Sequence, residues 1–167
     1  MTTVFVVAGI VVLLIATVFG IGAMLPQEHQ AQAERVIPTE PERIWKLLTN
    51  PDEVPEWRSD VAQVRQLSPN TVRETDKSGK SMTFETVRSD PPRVLVRRIA
   101  DADLPFGGHW TITIEPVRSG SRVRVVEDGF VRPPLFRFVS RFVLGHERTI
   151  KTFLDDLESH VAKLNKG

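Results

Sequence analysis

Between residues 61 and 131 the chain is cut into six short extended segments, and this succession restricts the fold more than any other feature. The segments are 61–67, 71–76, 81–88, 93–99, 109–115 and 122–131. Between them lie turn-forming clusters such as Ser68-Pro69-Asn70, Lys77-Ser78-Gly79, Asp90-Pro91-Pro92, Pro105-Phe106-Gly107-Gly108 and Ser119-Gly120. Connections this short leave no room for a helical crossover, so the strands are expected to pair antiparallel as a meander. The alternation is clearest in 109–114, where Trp110, Ile112 and Ile114 share one face and His109, Thr111 and Thr113 the other. One face of the sheet is therefore dry.

Helical patterns flank the meander. A short strand over 34–40 leads into Pro41-Glu42-Arg43-Ile44-Trp45-Lys46-Leu47-Leu48, with Pro41 at a first-turn position and Ile44, Leu47 and Leu48 on one side. Asn50-Pro51 stops this helix, and 52–57 has room only for a turn or a second small helix. After Pro133-Pro134 a long helix is expected over 135–164, with Leu135, Val139, Phe142, Ile150, Phe153, Leu157, Val161 and Leu164 at three- and four-residue steps. His146 interrupts that apolar stripe.

The N-terminal segment 2–25 carries no charge and is long enough to cross a bilayer as a helix. Ala31-Gln32-Ala33 has the look of a signal-cleavage site. The apolar run is nevertheless longer than the core of a secretory signal, and no Lys or Arg precedes it, so an uncleaved single-pass anchor is expected. Arg35, Arg43 and Lys46 follow it closely, which places the globular part on the cytoplasmic side. Residues 26–33, polar and rich in Gln, are expected as a linker, and 34–164 as one domain.

With no cysteine, disulfides, thiolate metal sites and a cysteine nucleophile are excluded. A net charge of +1 gives no footprint for nucleic acid. The histidines have no metal-ligand spacing, and GxSxG, HExxH, a phosphate-binding glycine loop and an EF-hand loop are absent. The sequence therefore implies no cofactor and no metal.

Taken together, the run from Pro41 through Asn50-Pro51-Asp52 to Trp57, then Trp110-Thr111-Ile112-Thr113-Ile114-Glu115-Pro116 and Gly120-Ser121-Arg122-Val123, then a C-terminal helix, resembles the SRPBCC superfamily. This is the START-like, helix-grip group that includes the polyketide cyclase/dehydrase and lipid-transport families. The resemblance covers 34–164 and implies an α+β fold, with a seven-stranded antiparallel sheet curved around the C-terminal helix and a cavity between them. It is specific for fold and not for activity, since such folds host carriers and enzymes alike. Members are usually free-standing, so the anchor is a departure that points to work at a membrane.

Within that frame His146 is directed at the sheet by its helical phase, where an imidazole transfers protons near neutral pH or bonds a ligand. The inward register of Val123 and Val125 carries Glu127 to the same face, making His146 and Glu127 a candidate acid/base pair. A core histidine, and a Glu127 turned to solvent by a bulge, are the structural alternatives. One of Arg97 and Arg98 points inward, but Val94-Leu95-Val96 conceals which. His109 belongs to the outer face, and Trp45, Trp57 and Trp110 to the core. Met82, Phe84, Trp110, Ile112, Val123, Phe142, His146 and Ile150 are the expected ligand-lining set. Arg132, Arg137 and Arg141, with Phe136 and Phe138 among them, suit a face against anionic headgroups. The first functional reading is a membrane-anchored binding or carrier protein for a hydrophobic small molecule such as a lipid, quinone or polyketide-like compound. The alternatives are a cyclase or dehydratase using His146 and Glu127, and an interaction module with a filled cavity.

Overall fold

The computed structural model describes residues 2–145 and 147–166. A first helix, α1 (Thr2–Met24), precedes β1 (Glu28–Ile37), the small helices α2 (Pro41–Thr49) and α3 (Val54–Trp57), and six further strands. These are β2 (Val61–Ser68), β3 (Thr71–Asp76), β4 (Ser81–Asp90), β5 (Val94–Ile99), β6 (Phe106–Val117) and β7 (Gly120–Val131). The chain closes with α4 (Pro134–Val139), a π-helical turn (Ser140–Leu144) and α5 (Glu147–Leu164). All seven strands form one antiparallel sheet in the order β1-β7-β6-β5-β4-β3-β2. The α+β helix-grip architecture is as expected from the sequence.

Two boundaries differ from expectation. The stretch 26–33 is not a linker over most of its length, because β1 begins at Glu28 and pairs with β7 from Glu28↔Phe130 to Ile37↔Ser121. Its polar Gln30, Gln32 and Glu34 face out, while His29, Ala31, Ala33 and Ile37 face in, a two-residue period written in small and polar side chains. The helix expected over 135–164 is broken. After the π-helical turn, Gly145 adopts φ 74°, a backbone conformation that ends a helix and favours glycine.

That break splits the apolar stripe in two. In α5, Ile150, Phe153, Leu154, Leu157 and Val161 are buried, each contributing roughly 1.5–3 kcal/mol through removal from water. Leu135 and Phe142, on the other side of the break, are exposed. The α5 face packs on β1 and on α3. Beneath it Ile112, Ile114, Val123, Val125, Ile37 and Leu95 complete the core. Trp57 Nε1 donates to the Leu47 carbonyl at 3.1 Å, pinning α3 to the end of α2. At the β6–β7 turn, a Cβ on Gly120 would stand 2.2 Å from the Ile37 carbonyl oxygen, so only glycine lets the end of β1 approach this closely.

Candidate functional site

The pairing register brings a row of side chains together on the concave face of the sheet, most of them polar or aromatic. Ala31, Glu127, Trp110, Arg97 and Thr86 stand opposite one another on five successive strands. Glu127 faces inward as its register predicts, alongside Val123 and Val125. Trp110 Nε1 donates to its Oε2 at 2.9 Å, and His29 Nε2 lies 3.2 Å from its Oε1. The histidine paired with this carboxylate is thus His29 of β1. His146 lies outside the described residues.

Arg97, not Arg98, is the inward arginine. It reaches across to β3, where its Nη2 pairs with buried Glu74 at 3.0 Å, and its guanidinium lies over the Phe84 ring at 5.2 Å. Arg98 points outward to Glu85. Glu74 is shared with Arg58, whose Nη1 is 3.8 Å away. Arg58 in turn holds Asp60 through two hydrogen bonds of 2.8 Å. Its guanidinium also covers Trp57 and Phe153, at 5.9 and 5.4 Å from the ring centroids. Phe153 of α5 joins the two halves of the row, meeting Trp57 edge-on at 5.2 Å and Trp110 edge-on at 5.3 Å. The result is a continuous band under α5: His29, Glu127, Trp110, Phe153, Trp57, Arg58, Glu74 and Arg97.

Burial of Asp60 acts to raise its pKa, but the hydrogen bonds and positive charge of Arg58 outweigh this and hold it below its ordinary 3.8. Burial likewise opposes the charge on Arg58, and Asp60 and Glu74 reverse the effect, so the guanidinium titrates above its ordinary range. A carboxylate with a lowered folded-state pKa contributes stability that is complete above the unfolded value and disappears as pH falls through the folded one. Acid unfolding followed by tryptophan fluorescence is therefore expected to show stability dropping below about pH 4. Asp60→Asn should flatten that drop. An unchanged profile in the variant would remove Asp60 from the account. Because Asp60 is half exposed, the effect is modest.

One cleft borders the band and another lies beside β1. The first, of about 160 Å³, lies between α2–α3 and strands β2–β5, with Leu48, Val54, Val72 and Leu95 on its apolar side and Glu74, Arg97 and Thr86 on its polar side. The other, about 490 Å³, lies between β1 and the start of α5 and is polar, lined by Gln30, Arg141, Arg148, Lys151 and Asp155 among others. Among the described residues, the expected ligand-lining side chains border neither. Ile112, Val123 and Ile150 are packed in the core, Met82, Phe84 and Trp110 are half-buried on the concave face, and Phe142 is exposed beyond the break. His109 sits on the outer face, 3.4 Å from Asp128. Trp57 is buried, and Trp45 and Trp110 pack against the core.

Of the basic residues expected at a membrane surface, Arg137 is turned toward α1, where its Nη1 donates to the Leu25 carbonyl at 2.6 Å and more distantly to that of Ala23. Arg132 lies over Phe130 at 5.0 Å, and Arg141 is exposed. Among the described residues no group of His, Asp and Glu is arranged to hold a metal ion. Helix α1 is long and apolar enough to cross a membrane.

A family model described as polyketide cyclase / dehydrase and lipid transport matches residues 28–162. No curated protein matches the chain. Among solved structures, a Mesorhizobium loti protein has a TM-score of 0.63 at 22% identity, over 81% of this chain and 98% of its own. A Rhodobacter sphaeroides protein gives 0.59 at 20% identity, over 81% and 93%. A norcoclaurine synthase point mutant from Thalictrum flavum, bound to a transition-state analogue, gives 0.63 at 12% identity, over 83% and 96%. At these identities the structural likeness concerns the fold.

Proposed function

Because the chain belongs to the polyketide cyclase / dehydrase and lipid transport family, we propose that it is a membrane-anchored binding protein for a hydrophobic small molecule with one polar end. The observation that carries this reading is the band of ionisable side chains inside an otherwise apolar grip. Burying Glu74, Arg97 and Glu127 costs solvation, and a filled structural core is as well served by aliphatic residues. A ligand's polar group uses such a band, while its apolar remainder lies against Leu48, Val54, Val72 and Leu95. Helix α1 supports delivery from a bilayer.

The full-length protein, extracted and analysed by mass spectrometry, is expected to carry a compound that is depleted in Thr86→Phe, whose ring occupies the cleft. Extracts of identical composition from the two proteins would count decisively against the reading. A second reading, acid/base chemistry, is favoured by one observation: Glu127 is held at both oxygens, by Trp110 and by His29. If it is an enzyme, Glu127→Gln should retain a compound of different mass from that held by the native chain. The same mass in both proteins argues for binding alone.

A further inference from the structure

The end of α1 is built onto the start of α4. Gly22 lies so close to Pro134 that a Cβ there would come within 2.0 Å of the Pro134 carbonyl oxygen. Arg137 takes carbonyls at the end of α1 that helix geometry leaves without a partner: that of Ala23 in its last turn at 3.4 Å and that of Leu25, just beyond it, at 2.6 Å. The same guanidinium donates to the Arg132 carbonyl at 3.1 Å, tying the approach to α4 into the joint. A cation at this helix end also meets the negative pole of the helix dipole. Whatever depth α1 reaches, residues 134–144 sit beside its C-terminal end.

Four apolar side chains of that segment are turned away from the domain. Leu135, Phe136, Phe142 and Val143 are 50%, 54%, 60% and 65% exposed. Their spacing along α4 and the π-helical turn places them on one stripe, and Phe138 packs on Phe142 with ring centroids 5.0 Å apart. Gly145 then breaks the chain before α5, whose apolar face is committed to the core, so the exposed stripe is independent of the buried one. Exposed Arg141 flanks the stripe, and Arg141, Arg148 and Lys151 line the neighbouring polar cleft. An aromatic and aliphatic stripe with basic residues at its edge, adjoining the mouth of a membrane-length helix, has the composition of a segment lying in the plane of a bilayer surface.

We propose that residues 134–144 lie in the interfacial layer of the bilayer crossed by α1, with Leu135, Phe136, Phe142 and Val143 among the upper acyl chains and Arg141 at the headgroups. The inference rests on α1 being a membrane span, and it is independent of what the concave face binds. The chain contains no cysteine, so Phe142→Cys gives a single attachment point for an environment-sensitive NBD fluorophore on the full-length protein. Reconstituted into phosphatidylcholine–phosphatidylglycerol vesicles, the label at 142 is expected to emit blue-shifted light and to be quenched by lipids brominated near the top of the acyl chain. Ile10→Cys in α1 and Arg73→Cys, at an exposed position of β3, serve as the immersed and aqueous references. Emission at 142 matching that at 73 overturns the inference and leaves the anchor standing. A blue shift without bromine quenching means that protein covers the stripe, which also overturns it. A label at 10 that emits as the label at 73 does removes the anchor and the inference together. Val143→Cys, labelled in the same way, guards against a local effect of replacing Phe142.

Discussion

Phe153→Ala is expected to lower the stability of the domain by about 3–5 kcal/mol, the cost of emptying a buried aromatic site. Phe153 is nearly inaccessible, and its ring stands between the edges of Trp57 and Trp110 and under the Arg58 guanidinium. Removing it opens a hole where α5, the sheet and α3 meet, and few neighbours can shift to fill it because each is itself held by a polar contact. Phe153→Leu separates the two contributions. It keeps most of the apolar volume and loses only the edge contacts, at roughly 0.5–1.5 kcal/mol for each aromatic pair. Denaturant unfolding of the detergent-solubilised protein, followed by tryptophan emission, measures both. An alanine variant no less stable than the leucine one would mean that the hub is not where α5 is held.

The second large effect concerns Glu74. It is buried, and it stands between Arg97 at 3.0 Å and Arg58 at 3.8 Å. Glu74→Leu leaves Arg97 without its counter-charge and is expected to cost about 3–5 kcal/mol, as when one member of a buried pair is removed. Arg97→Met exposes the complementary fault. The double variant Glu74→Leu/Arg97→Met puts apolar groups of similar size in both places and should recover most of the loss, since Arg58 keeps Asp60. Losses that simply add in the double variant would show that the two residues do not act as a pair. The stable double variant is also a means of asking what the charges are for: under the proposed function it folds and no longer retains the compound.

The meander and the inward direction of Glu127 were legible because Val123, Val125 and the alternating Trp110, Ile112 and Ile114 carry a two-residue period in large apolar side chains. His29 was not, because β1 writes the same period with Ala31 and Ala33 against glutamines, a contrast too weak in hydrophobicity to separate a strand from a polar connection. The choice between Arg97 and Arg98 depends on how β4 meets β5, including a register shift between Thr86 and Arg88, and an unbroken Val94-Leu95-Val96 gives no local hint of it. The split of the C-terminal helix had one visible sign, Gly145. Both halves have apolar residues at helical spacing, so they read as one stripe, and the turn that sets them on different faces leaves the composition unchanged. Side chains that pair between separate elements, such as Glu74 with Arg97 and Arg58, lie beyond any local pattern.

Only residues 25–27 separate α1 from β1, a leash of about 10 Å even when fully extended. With α1 embedded, the domain cannot leave the bilayer surface to commute between compartments or reach a second membrane by its own motion. Under the proposed function, its search for cargo would then be confined to a plane, and whatever supplies or receives the molecule would have to drift to it laterally or come to it from the aqueous side, as at a fixed station on one membrane and not a ferry between two.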